Sequence, residues 1–215
     1  MRSQSRWTGI VVVVVMGVLF SAAVVLGESS IYLPIVSKAV GSSSAGVPRT
    51  GQTTSYGPRD DGALQKGVAW PNPRFTDNIN GTVTDNLTGL VWLKNANCFG
   101  TRTWAVALVD ANSLANGNCS LSDGSAAGDW RLPNVKELQS LIDFAYIAPA
   151  LSNTAGTGQW TPGNPFTGVQ SDNYWSSTTI ADNTDYAWCV FVYNGGVYGG
   201  IKTDSHYVWP VRGGQ

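Results

Sequence analysis

Histidine is almost absent from this 215-residue sequence, where His206 stands alone. Any Ser-His-Asp or Cys-His site would have to use that one imidazole, and no Gly-x-Ser-x-Gly elbow accompanies it. Zinc spacings are missing as well, since neither His-x-x-x-His nor Cys-x-x-Cys occurs. Glycine motifs that cradle phosphate are absent. Charge is scarce, at 13% of residues with a net of −1. Residues 74–215 hold seven Lys/Arg against eleven Asp/Glu, a net of −4. A nucleic-acid module needs a basic stripe to displace counterions from phosphate, so that class is excluded, and sulfated polyanions are disfavoured on the same ground. No carboxylate pair is singled out for glycoside hydrolysis. A non-catalytic protein without cofactor or metal is expected.

What is present is apolar and aromatic. With 43% hydrophobic and 11% aromatic residues the chain can bury one substantial core. Arg2 and Arg6 precede an uncharged run from Ile10 to Leu26 that includes Val11 to Val15. This reads as an export signal over 1–27, cleaved after Gly27 or retained as an anchor, and it is the only membrane contact expected. Residues 28–50 read as a linker. Within it, Ile31 to Val36 is apolar and Gly41 to Pro48 is rich in Gly and Ser. The domain then spans 51–215, with an irregular lead-in up to Pro73 and a core over 74–215.

In the core, Thr82 to Asp85 and Leu90 to Leu93 read as strands joined by Asn/Gly turns. Aligning Gly81 with an EF-hand glycine puts Thr76 and Leu87 at ligand positions, so turn chemistry is preferred to calcium there. A first helix is expected over 103–114, with Thr103 as its N-cap and Trp104, Leu108 and Ala111 on one face. Cys98 and Cys119 flank it. In an exported chain these two are expected to form a disulfide, leaving Cys189 as a buried thiol.

The chain is organised around Gly128-Asp129-Trp130-Arg131-Leu132-Pro133-Asn134-Val135-Lys136-Glu137. Asn134 and Glu137 form a capping box, which predicts a second helix with Val135, Leu138, Leu141, Ile142 and Ala145 on its buried stripe. Lys136, Gln139 and Asp143 are expected on its wet face. Residues 148–173 read as a long loop, and strands follow at Tyr174–Thr179, Asp185–Tyr193 and Tyr207–Arg212.

Gly128 to Asn134 with Glu137 to Leu141, Asn80 to Asp85, Thr88 to Trp92, Tyr174 to Thr178 and Val211 to Gly214 together resemble the Lcl C-terminal domain family. This is a bacterial family named after the terminal domain of a collagen-like adhesin. The resemblance covers roughly residues 50–215 and implies an α+β, C-type lectin-like fold with two helices and a small antiparallel sheet. The Glu-Pro-Asn, Gln-Pro-Asp and Trp-Asn-Asp triplets of calcium-dependent lectins are absent. So are the paired cysteines of formylglycine-generating enzymes.

Trp92, Trp104, Trp130, Trp175, Trp188 and Trp209 fall in strand or helix patterns and are expected in the core. Trp160 lies in the Gly/Pro-rich loop. Together with Tyr193, Asn194, Tyr198, Lys202, Asp204 and His206 it forms the candidate ligand surface, a mixture of rings and hydrogen-bonding groups on a glycine-flanked hairpin. The expected activity is recognition of a glycan or a cell-surface protein, at the cell surface or outside the cell. Self-association in the cell envelope, as a homo-oligomer, is the alternative.

Overall fold

The computed structural model describes residues 22–26, 29–33 and 46–213. The chain divides into two compact units, 1–45 and 46–215. In the first, Ala22–Leu26 (β1) pairs antiparallel with Ser29–Leu33 (β2). Most of the expected leader and linker lies outside the described residues. No helix among those described is long and apolar enough to cross a membrane.

The second unit is α+β and mostly β. Phe75–Asp77 (β3), Thr82–Asp85 (β4) and Val91–Leu93 (β5) form the expected meander. Its sheet is completed by Val211–Arg212 (β11), in the order β11-β5-β4-β3. A second sheet joins Thr101–Arg102 (β6), His206–Tyr207 (β10), Asn173–Thr179 (β7), Tyr186–Phe191 (β8) and Gly196–Ile201 (β9), in the order β6-β10-β7-β8-β9. All its pairs are antiparallel except β10 with β7. The expectation of one small antiparallel sheet is therefore corrected to two sheets. The first of these also takes in the chain end, because β11 returns to pair with β5, a contact more than a hundred residues long that no local pattern encodes. β8 is an interior strand, paired on one side with β7 and on the other with the edge strand β9.

Three helices accompany the sheets. Asp61–Leu64 (α1) is a single turn in the lead-in, capped by Asp60. Trp104–Ser113 (α2) buries Ala107 and Ala111; Thr103 holds the N-cap position but makes no side-chain cap bond. Val135–Gln139 (α3) has the predicted capping box, with the Asn134 side chain accepting from Glu137 N and Glu137 accepting from Asn134 N. Glu137 does more than cap. It takes both guanidinium nitrogens of Arg131 at 2.7 Å each, and Arg131 donates onward to the Gly213 carbonyl. Burial pushes the Glu137 carboxyl up, but Arg131 and the Asn134 N–H outweigh it and hold it below the ordinary value. The signature thus fastens a helix start to the chain end.

The predicted stripe through Ala145 is too long. The helix stops at Gln139, and the chain bends so that Asp143 N reaches the Ala150 carbonyl and Phe144 N the Thr50 carbonyl. Leu141 and Ile142 stay buried while Ala145 is exposed. Asp143, expected in solvent, is 2% exposed because the lead-in closes over it.

The main core lies between the two sheets. Trp209 packs edge-on against Phe166 (centroids 4.9 Å) and Trp92 (5.8 Å), and its indole N–H donates to Leu93 O. Trp92, Trp130, Trp175 and Trp209 are fully buried, while Trp104 and Trp188 are half-buried. The long loop is stapled down: Ala150 N bonds Val192 O, Ala96 N bonds Thr167 O, and Phe166 enters the core. Cys98 and Cys119 form the disulfide, Cα atoms 5.8 Å apart, and Cys189 is free and buried. Such a bond accords with an oxidising, extracellular-type environment.

Two outcomes follow from this packing. Replacing Cys98 with Ala should cost about 3 kcal/mol in the chain-entropy estimate and lower the melting temperature far more than Cys189→Ala does. Burial raises the Asp143 carboxyl from 3.8 to about 6, more than Arg74 and the Ala145 N–H offset. A raised folded value gives stability that is complete below the unfolded value and is lost as pH rises through the folded one. Calorimetry from pH 7.5 down to 5 should therefore show a rise in melting temperature attributable to Asp143, and Asp143→Asn should flatten it.

Candidate functional site

Strand alternation and register decide which side chains of the second sheet share a face. Trp175 lies opposite Cys189, Cys189 opposite Tyr198, and Ala187 opposite Gly200. The other face of β7 and β8 turns Tyr174 and Val190 into the main core. On the first face, Trp175, Ala187 and Cys189 pack with Ala107 and Ala111 of α2. The helix covers only part of the face. The remainder holds a pocket of about 290 Å³ whose lining includes Asn173, Cys189, Tyr198, Gly200, Asp204 and His206.

Gly200 makes this arrangement possible. A methyl there would fall 2.8 Å from both His206 Nε2 and the Trp175 ring, and 2.9 Å from Cys189 Sγ. His206 can accordingly lie against Trp175, ring centroids 4.5 Å apart. Burial lowers the imidazole below its usual 6.5, and Asp204 and Asp172 only partly oppose this, so it is neutral near pH 7. Burial also pushes the Cys189 thiol up to about 12. An activated cysteine needs the reverse, a depressed thiol beside an imidazolium. Asn173 contributes an amide oxygen, Oδ1, that is buried with no hydrogen-bond partner.

Of the seven side chains expected at the ligand surface, Tyr198, Asp204 and His206 meet in this pocket. Tyr193 and Asn194 are not among its lining residues. Tyr193 is 40% exposed and stacks on Phe191, whose ring meets Tyr198 edge-on at 6.3 Å. Asn194 accepts the Gly196 N–H and shapes the hairpin turn. Lys202 is drawn elsewhere, its ammonium over the Trp104 ring at 3.9 Å and donating to Thr179 Oγ1. Trp160 is half-buried against the main core, and its indole N–H donates to Phe166 O. Sequence reasoning missed Asn173, and it took Gly200 only as one of the glycines flanking the hairpin. The signal for their meeting was the alternation of β7 against β8 and β9, legible only once the register is known.

The Asp/Asn-rich turns around Gly81 spend their oxygens on the protein. Asp77 takes Lys94 and Ile79 N, Asn80 takes Thr82, and Asp85 takes Arg74, Leu87 N and Thr88. Among the described residues no cluster of three His, Cys, Asp or Glu side chains is placed to hold a metal.

The model of the Lcl C-terminal domain matches residues 81–212, from the turn before β4 through β11. The protein belongs to the Lcl C-terminal domain family. No curated protein matches the chain. The pocket thus lies wholly inside the matched Lcl C-terminal domain, whereas residues 46–80 of the same compact unit precede it.

The two adjacent glycines of β9 should respond differently to a methyl group. Gly199→Ala presses on the Cδ1 end of the flexible Ile180 side chain and otherwise meets Tyr186 at an ordinary 3.6 Å, so it should be near neutral. Gly200→Ala should cost about 1–3 kcal/mol as an overpacked site and should displace the His206 ring. Thermal melts and the His206 imidazole chemical shifts check both.

Proposed function

We propose that this protein is an exported, non-catalytic recognition module of C-type lectin-like architecture that binds a glycan through the open face of its second sheet. The observation that carries this reading is the pocket where the 51%-exposed Tyr198 ring meets Asp204, neutral His206 and the unpartnered Asn173 oxygen. A sugar ring has apolar C–H faces that stack on aromatic rings and hydroxyls that both donate and accept. Phe191, Tyr193 and Tyr198 supply the rings, and Asn173 and Asp204 the acceptors. The imidazole, free of charge, serves as donor or acceptor. A concave site with few convergent polar groups suits a small ligand unit better than a flat protein surface. Catalysis is disfavoured because the one Cys and one His at the site are both held uncharged.

The test is a glycan array probed with the full-length protein, followed by competition with soluble sugar. Tyr198→Ala should leave the stability within about 0.5 kcal/mol of the parent, as an exposed surface change does, yet abolish the array signal. Unchanged binding by that variant, or a signal that soluble sugar fails to compete, would move the site off this face and favour a protein ligand.

One observation favours self-association as a second reading. Edge strand β9, Gly-Val-Tyr-Gly-Gly-Ile, carries no charge, proline or bulge, and its six residues pair with β8 without interruption. Natural edges are usually blocked by such features. If β9 pairs with a second copy, sedimentation should reveal a concentration-dependent dimer without ligand, and Ile201→Lys should dissolve it.

A further inference from the structure

A second pocket lies outside the matched family domain for most of its wall. The lead-in contributes Arg49, Gln52, Thr53, Gln65 and Trp70, and Gly156 of the long loop closes it at about 180 Å³. Its frame is fixed by the backbone. Arg49 N donates to Val68 O at 3.0 Å, Val68 N to Val47 O at 2.9 Å, and the Trp70 indole N–H to Arg49 O at 2.9 Å. The hydroxyl of Thr50 bonds Asp61, and Thr50 O accepts from Phe144 N.

Two glycines keep the space open. A methyl on Gly51 would fall 2.1 Å from Asp143 Oδ1, and one on Gly156 would fall 2.8 Å from Arg74 Cβ. Arg49 is the one charged side chain on the wall. Its Nε is buried with no hydrogen-bond partner, and no carboxylate lies within ion-pair distance among the described residues. The nearby acids already hold hydrogen bonds, Asp61 from Thr50 and Asp143 from Ala145 N. An unpaired buried donor on a cation costs free energy that a ligand oxygen would return.

We propose that this pocket is a second binding site, for the carboxylate of a small hydroxy acid. The planar guanidinium of Arg49 matches a carboxylate with paired hydrogen bonds. The Gln52 and Gln65 amides and the Thr53 hydroxyl are suited to an adjacent hydroxyl, and Trp70 provides an apolar wall. The site is independent of the glycan reading, since it shares no residue with the pocket at Tyr198.

Lactate is the probe, with lactamide as its uncharged counterpart, titrated into the full-length protein by calorimetry at constant ionic strength. Saturable lactate binding is expected, with lactamide and Arg49→Gln each weaker by about tenfold, the loss typical of one charge-assisted hydrogen bond. Thr53→Val, an exposed change that leaves the fold intact, should weaken lactate about threefold. Tyr198→Ala should leave lactate binding unchanged. Equal affinity for lactate and lactamide overturns the proposal, as does the absence of saturable lactate binding. So does a folded Arg49→Gln that binds like the parent; should that variant fail to fold, unaltered binding by Thr53→Val overturns it instead.

Discussion

The ion pair of Arg74 with Asp85 holds three parts of the molecule in register. Both side chains are fully buried, and the guanidinium meets the carboxylate through Nε at 2.9 Å and Nη2 at 3.0 Å. Nη2 also donates to the Ser140 carbonyl where α3 ends. The Arg74 guanidinium lies 4.3 Å from the Trp70 ring and 4.8 Å from Phe75. Asp85 meanwhile fixes the following turn through Leu87 N and Thr88. Desolvating two charges offsets much of their attraction, so such a pair adds little net stability; removing one partner alone costs about 3–5 kcal/mol because the other is stranded. Its value here is geometric. It sets the lead-in, the first meander and the end of α3 around one point.

A second constraint explains why the family signature is so recognisable and says so little about ligands. Trp130 is buried and donates to Ser125, Arg131 clamps Glu137 and Gly213, and Asn134 and Glu137 start α3. Arg131 also exchanges backbone bonds with Val211. The side chains of Trp130, Arg131, Asn134 and Glu137 are thus all occupied by the protein itself. The pocket at Tyr198 is lined instead by residues such as Asn173, Tyr198 and Gly200, at positions where no local motif stands out. Signature and site therefore lie on different residues of the same domain.

The open face of the second sheet has a simple origin. α2 is ten residues long, about 15 Å at the rise of an α-helix, and it buries two alanines over β7. It packs on residues of β7 and β8, and no residue of the edge strand β9 joins that cluster. At the uncovered end β9 contributes glycines, which permit His206 to lie against Trp175, and tyrosine, which tolerates water at one end and an apolar neighbour at the other.

By itself the sequence determined whatever depends on neighbours along the chain. The capping box of Asn134 and Glu137, the turns flanking Thr82 to Asp85 and the aromatic strands of the terminal sheet are local chemistry, in which dihedral preference and short-range hydrogen bonds dominate. The pairing of Cys98 with Cys119 was legible because the two flank one helix and three cysteines leave few choices. Tertiary structure alone decided what depends on distant partners. Asp143 looked solvated on a helical wheel, but the lead-in, ninety residues earlier, buries it. Trp160 and Lys202 looked free on the hairpin and the loop, yet Phe166 and Trp104 capture them. The pocket joining Asn173, Tyr198, Asp204 and His206 exists because register sets four strands side by side, and Arg49 lines the other pocket because the lead-in folds back onto Val68. In each case the deciding free energy is burial against a residue far along the chain, which composition and periodicity do not record.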